Sequence, residues 1–305
     1  MQEYFSSLIP LQIYAASIFF LAYYLESRNC DEESVAKIDL QKKDRHWALQ
    51  MLYMIVGMTA VLYLIAIILG GTGSASGAEN SGSGIPIQFI FGPLSALYVF
   101  GFTRYVAKNI AAQKGVVAEH VVPALVALAV TAWWVLSPNW LSLNIAATII
   151  MLYVLVLARF MNIYTAILIL SALAVYDVIN VFGTGLMLKA AMPSIGVAPL
   201  LVVVPASLSL SAQRVSALGL GDIVIPGLAI LAAFRESKIK KNPLFSILAI
   251  SFYLLALATA FVAVRLTKSP QPALLYISPA VIAALLLATP LWNAWKRVRG
   301  LPQGQ

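Results

Sequence analysis

Stretches of about 20 mostly apolar residues recur along this chain, and no other feature constrains its fold as strongly. At a rise of about 1.5 Å per residue, a helix of that length matches the hydrocarbon thickness of a bilayer. Nine such stretches are read, near residues 8–25, 47–70, 86–105, 120–137, 139–158, 163–186, 213–234, 244–264 and 272–295. Lipid offers no partner to backbone N–H and C=O groups, so open strands are excluded. The alternation of a β-barrel is absent. The expected fold is an all-α polytopic membrane protein of about nine transmembrane helices. Ser137-Pro138-Asn139 is read as a tight turn between the fourth and fifth. The chain is read as one membrane-embedded domain, 1–305, with a five-helix part over 1–162 and a four-helix part over 163–305. Met1-Gln2-Glu3-Tyr4 lacks the basic region of a cleaved signal, so the first stretch is taken as a retained span.

Only 10% of residues are charged and 61% are hydrophobic. Soluble domains carry about 25% charge. A soluble globular enzyme, a disordered chain and a nucleic-acid module are excluded. The net charge of +8 follows the loops. Sixteen Lys and Arg fall on one side of the nine-span layout, including Lys37, Lys108, Lys240 and Arg297. Lys189, Arg214, Arg265 and Lys268 fall on the other. The excess of positive loops marks the cytoplasmic face, which puts the N-terminus outside and the C-terminus in the cytoplasm. The charge thus serves topology and attraction to anionic lipid, with the bilayer as partner and no nucleic acid. Cys30 alone makes no disulfide framework, and His46 and His120 make no histidine-rich cage. No metal and no cofactor are expected.

Two loops differ from the rest. Residues 70–84 are Gly- and Ser-rich and read as a flexible external linker. Pro199-Leu200-Leu201-Val202-Val203-Val204-Pro205 is apolar, β-branched and too short to span. It reads either as a short strand or as a broken extension of span seven.

Of twelve acidic residues, only Asp177 and Asp222 lie well inside predicted spans. An ionised side chain at bilayer depth costs at least about 2.5–3.5 kcal/mol, so such residues face water or a partner. No Lys or Arg lies deep enough to pair with either. Asp177 stands nine residues before the expected end of span six at Leu186, and Asp222 nine after the expected start of span seven at Gln213. Successive spans run antiparallel, so both carboxyls are expected about 13 Å below the same face. Two carboxyls in one poorly hydrated site do not readily ionise together, and the pair shares a proton and titrates as a unit. That state suits hydrolysis by general acid and base without a metal.

The flanking residues carry a resemblance. Tyr176-Asp177 lies in span six, Gly219-Leu220-Gly221-Asp222 in span seven, and Pro272-Ala273-Leu274 at the start of span nine. This set, in this order, resembles the intramembrane aspartyl proteases of the presenilin and signal peptide peptidase group. The resemblance implies that Asp177 and Asp222 are catalytic and that Pro272, Ala273 and Leu274 shape the active site. Gln271-Pro272-Ala273-Leu274-Leu275-Tyr276 and the expected orientation look more like signal peptide peptidase than presenilin. The loop between spans six and seven is shorter than in animal presenilins, which implies an uncut chain, and the compact form without large loops resembles a prokaryotic, archaeal-type homologue. The implied location is the cell membrane, as a multi-pass protein.

Each residue also has a physical reading. Gly219 and Gly221 let a substrate backbone or span six approach, or simply pack helices. Pro272 suits a helix start. Tyr176 either bonds near the pair or is an ordinary interfacial tyrosine. Pro226, four residues after Asp222, is read as a kink or a tolerated membrane proline. A protease must also unwind a helical substrate, and an extended substrate segment is expected to add as a strand to Leu200, Leu201, Val202, Val203 and Val204. The leading expectation is an endopeptidase cutting transmembrane segments such as signal-peptide remnants. A prepilin-peptidase-type enzyme and a proton-coupled transporter or channel are the rivals. Self-association into a homo-oligomer stays open.

Overall fold

The computed structural model describes residues 2–27, 87–109, 115, 117–137, 139–157, 161–179, 201–205, 214–267 and 271–298. Predicted span two, the linker 70–84, the end of span six and Leu200 lie outside these residues. Eight α-helices occur among the described residues: α1 Gln2–Ser27, α2 Ile87–Asn109, α3 Val122–Leu136, α4 Trp140–Leu157, α5 Ile163–Val178, α6 Leu220–Ile239, α7 Leu244–Thr267 and α8 Ala273–Val298. A single turn of π-helix, Val117–Val121, leads into α3. Strands β1 Leu201–Pro205 and β2 Arg214–Gly219 pair antiparallel. Among the described residues, five helical segments are long and apolar enough to cross a membrane: Leu8–Leu25, Glu119–Leu136, Trp140–Leu157, Leu244–Thr267 and Ala273–Val298. The chain is a multi-pass helical membrane protein.

Local chemistry sets several helix ends. The Asn139 side chain accepts from the N–H groups of Leu141 and Ser142 at 3.0 and 2.9 Å, which starts α4. Asn162 does the same for Thr165 at the head of α5 (2.8 Å). Buried Asn242 accepts from Leu244 N–H at 3.0 Å and donates to the Ala288 carbonyl, tying the head of α7 to α8. Such caps satisfy N–H groups that a helix leaves open at its start, which lipid cannot do.

Helix α6 is the axis of the bundle. It touches α1, α4, α5, α7 and α8, and its run from Pro226 to Phe234 is buried throughout. Gly227 makes this closeness feasible: a Cβ there would lie 2.7 Å from Phe19 Cε1 and 3.0 Å from Leu155 Cδ2. Helices α2 and α3 pack on each other and against α4, on the flank away from α7 and α8.

Span seven departs from the sequence expectation. A helix was expected over 213–234, but residues 214–219 form β2 and the helix begins at Leu220. An apolar run such as Val215-Ser216-Ala217-Leu218 has no helix-specific signal, and the pairing that makes it a strand comes from β1, ten or more residues away. The segment 199–205 resolves toward the strand reading, over Leu201–Pro205.

Candidate active site

Strand and helix meet at Gly219. It is the last residue of β2, pairs with Leu201, and is the N-cap of α6 with φ −61° and ψ 138°. Asp222 follows as the third residue of the helix, in its first turn. Its carboxyl accepts from the Gly219 N–H, the reach-back bond that an acidic residue makes to the start of its own helix. Asp222 therefore sits at the head of a helix, rather than nine residues inside one as its place in the sequence suggested.

Asp177 reaches the same place from the other direction. It lies in the last turn of α5, with only 7% of its surface exposed. Its carboxyl accepts from the Leu274 backbone N–H. Leu274 is the second residue of α8, and Pro272 just before that helix accepts from Leu275 N–H at 3.1 Å. The N–H groups of a helix's first turn have no partner inside the helix and carry its positive end. Each carboxyl thus takes a hydrogen bond from main chain at the head of a helix. The two are close enough for the Asp177 charge to act on Asp222. This is the feature with chemistry in it: two acids, gathered in an apolar bundle, each held by backbone donors.

The other predicted positions distribute around this pair. Ala273 and Gly221 are half-buried, and Leu274 and Pro272 are buried. Leu220 packs partly buried against the core. Tyr176, half-buried, stands one position from Asp177 and so about 100° round the helix. The two glycines are not equivalent. A Cβ on Gly219 would lie 2.9 Å from Asp222 Oδ2, whereas one on Gly221 would meet Ile225 Cδ1 at an ordinary 3.6 Å.

The strand pair has one closed edge. Val203 donates to Asn144 Oδ1 and accepts from Asn144 Nδ2, both at 2.8 Å. In an antiparallel pair the N–H and C=O of one residue point the same way, and neighbours alternate. Val203 therefore faces the Asn144 amide of α4, while Val202 and Val204 face Leu218 and Ser216 of β2. By the same alternation Ala217, which is exposed, directs its N–H and C=O away from β1. At Val203 the outer edge of β1 is taken by Asn144, and the backbone groups of Val202 and Val204 are directed at β2.

Sequence reasoning missed β2, Asn144 and Tyr253. The signal for Asn144 was present: an amide in the middle of an apolar span needs partners. Tyr253 is wholly buried on α7, and its hydroxyl donates to the Asp222 carbonyl at 3.3 Å. Among the described residues no cluster of His, Cys, Asp and Glu is arranged to hold a metal ion.

Fold and site together define a polytopic helical membrane protein with a paired-carboxyl centre at the heads of two helices, beside a short strand pair. Its residues 11–297 match the family model described as signal peptide peptidase. The chain belongs to the signal peptide peptidase family. It is 34% identical over 155 residues to the human signal peptide peptidase, covering 49% of this chain and 41% of the human protein. It is 32% identical over 183 residues to a probable intramembrane protease of Schizosaccharomyces pombe, covering 56% of this chain and 58% of that one. The chain thus spans about two fifths of the human relative's length. A solved presenilin family intramembrane aspartate protease superposes with a TM-score of 0.57 at 18% identity, over 93% of this chain and 98% of the other. That likeness is one of fold.

Proposed function

We propose that the protein is an intramembrane aspartyl endopeptidase that hydrolyses peptide bonds within transmembrane segments, with Asp177 and Asp222 as its dyad. The observation that carries the reading is the meeting of these two carboxyls, each on a backbone N–H at a helix head. Family membership supports it. One carboxylate takes a proton from water, and the water attacks the peptide carbonyl. The protonated partner donates to the developing oxyanion; the carboxyl that took the water proton then gives it to the leaving amine, while the partner recovers its proton from the hydroxyl as the C–N bond breaks. The pair starts and ends the cycle with one proton between them.

Hydrolysis needs an extended substrate, because a helix hides its peptide bonds behind its own hydrogen bonds. The substrate pairs with the edge of β2 that is unfilled among the described residues, at Ala217, rather than with β1. Gly219 is two residues further on, and its N–H already holds Asp222. A strand docked at Ala217 therefore leads its backbone toward the carboxyls, and the pairing satisfies groups that lipid would leave bare. Ala217→Pro deletes the edge donor while sparing the β1 ladder, and cleavage of a transmembrane substrate is expected to fall below detection. Unchanged cleavage would remove edge docking from the reading.

The full protein is read as nine spans with the N-terminus outside, placed in the cell membrane, acting on signal-peptide remnants or similar helices. The deciding experiment incubates purified protein with a tagged transmembrane peptide and identifies products by mass spectrometry. Asp177→Asn and Asp222→Asn are each expected to abolish cleavage in a folded protein. Substantial cleavage by either variant would overturn the dyad, and ion flux in proteoliposomes without cleavage would favour a transporter.

A further inference from the structure

Pro226 stands inside α6, four residues after Asp222. A helical carbonyl normally accepts from the N–H four residues on, and proline has none. The Asp222 main chain is therefore released from the helix ladder at the residue whose carboxyl the reaction needs. In an apolar bundle a released carbonyl needs a donor from elsewhere. Tyr253 Oη supplies it, at 3.3 Å, from α7.

The tyrosine is itself held. It is 0% exposed, and its ring lies edge-on to Phe19, with centroids 5.2 Å apart and planes at 77°. Phe19 in turn is packed where a Cβ on Gly227, the residue after Pro226, would clash. The hydroxyl also lies within electrostatic reach of the Asp222 carboxyl. A proline that opens the ladder, a tyrosine that closes it and a phenylalanine that fixes the tyrosine form one contiguous arrangement behind Asp222.

We propose that Tyr253 is a positioning residue for Asp222: its hydroxyl replaces the helix hydrogen bond that Pro226 deletes, and so fixes the first turn of α6 that carries the carboxyl. The inference rests on Asp222 being half of the dyad. It does not require Tyr253 to meet substrate.

The test is a double-mutant cycle read on kcat and KM, per folded molecule counted by titration with a hydroxyl-bearing transition-state isostere. Tyr253→Phe keeps the ring and loses the donor. It is expected to lower kcat by about tenfold, the worth of one buried hydrogen bond, with KM unchanged. Pro226→Ala returns an N–H to the ladder, so in that background Tyr253→Phe is expected to cost less than about twofold. Equal losses in both backgrounds, no loss in either, or a variant that fails to fold in both, would overturn the inference. Asp222→Asn run alongside separates the two readings. If it still cleaves, the dyad falls. If it is silent while Tyr253→Phe matches wild type, the dyad stands and the positioning role falls.

Discussion

Replacing Gly219 by alanine tests the site with one methyl group. The backbone there, φ −61° and ψ 138°, suits any L-residue, so the substitution carries no conformational strain. Removing a glycine from the unfolded chain is worth about 0.4–1 kcal/mol in favour of folding. The added Cβ, however, would stand 2.9 Å from Asp222 Oδ2. Restoring an ordinary contact of 3.4 Å requires the carboxyl to move by about 0.5 Å. Catalytic groups work within about 0.5 Å of their productive positions, and a misplacement of about 1 Å costs on the order of 10²-fold. Gly219→Ala is therefore expected to keep or slightly raise the melting temperature while lowering kcat by about 10- to 100-fold. The assay is cleavage of a tagged transmembrane peptide, paired with thermal unfolding of the same preparation. Gly221→Ala is the internal control, because its Cβ meets only Ile225 Cδ1 at 3.6 Å. A loss of activity there would report on the approach of substrate, since the chain itself has room. Wild-type turnover in Gly219→Ala would refute the argument that this glycine exists to leave space for the Asp222 carboxyl.

Three further outcomes follow from the packing and chemistry. Gly227→Ala drives a Cβ into Phe19 and Leu155 at 2.7 and 3.0 Å, and is expected to cost about 1–3 kcal/mol of stability, seen as a lower melting temperature. Asn144→Leu leaves the N–H and C=O of Val203 without their side-chain partners. At about 1–3 kcal/mol for each abandoned group, hydrogen exchange at Val203 is expected to lose protection while that of α7 does not change. The rate of cleavage against pH is expected to be bell-shaped, since one carboxyl must be ionised and one protonated; a single-limbed profile would remove the shared proton.

The sequence disclosed the helices better than their faces. Apolar length alone located α4, α7 and α8 to within about three residues, because bilayer thickness sets that length. It did not show which side turns inward. In lipid the outer face is as apolar as the core, so periodicity carries little contrast: Leu143 and Ile150 of α4 are buried, while Leu157 on the same helix is exposed. The two acids were legible because a lone carboxyl among apolar residues is costly. Their surroundings were not. Tyr253 resembles any other tyrosine in an apolar run until the carbonyl freed by Pro226 is placed opposite it. The break between β2 and α6 was illegible for a related reason, since Val215–Leu218 satisfies the composition of either structure and only the register with β1 decides.

The architecture joins two problems that a membrane makes severe. A helix beginning within an apolar bundle exposes N–H groups that lipid cannot satisfy, and an acid there exposes oxygens that lipid cannot solvate. Placing Asp222 in the first turn of α6, and Asp177 against the first turn of α8, lets each need answer the other. The same junction sets the geometry of the proposed reaction. Because β2 runs through Gly219 directly into α6, the edge offered to an extended substrate and the carboxyl meant to act on it belong to one short segment, Ala217 to Asp222. No hinge separates them among the described residues. Lengthening this segment by one residue, for instance an alanine between Leu218 and Gly219, would therefore do more than weaken binding. Residues on either side of the insertion would swap edges relative to each other, since side-chain and hydrogen-bond directions alternate with a period of two. Cleavage is then expected to be lost even where the dyad and the fold survive. An insertion mutant that cleaves the same bond at the wild-type rate would show that strand and carboxyl are not coupled through this junction.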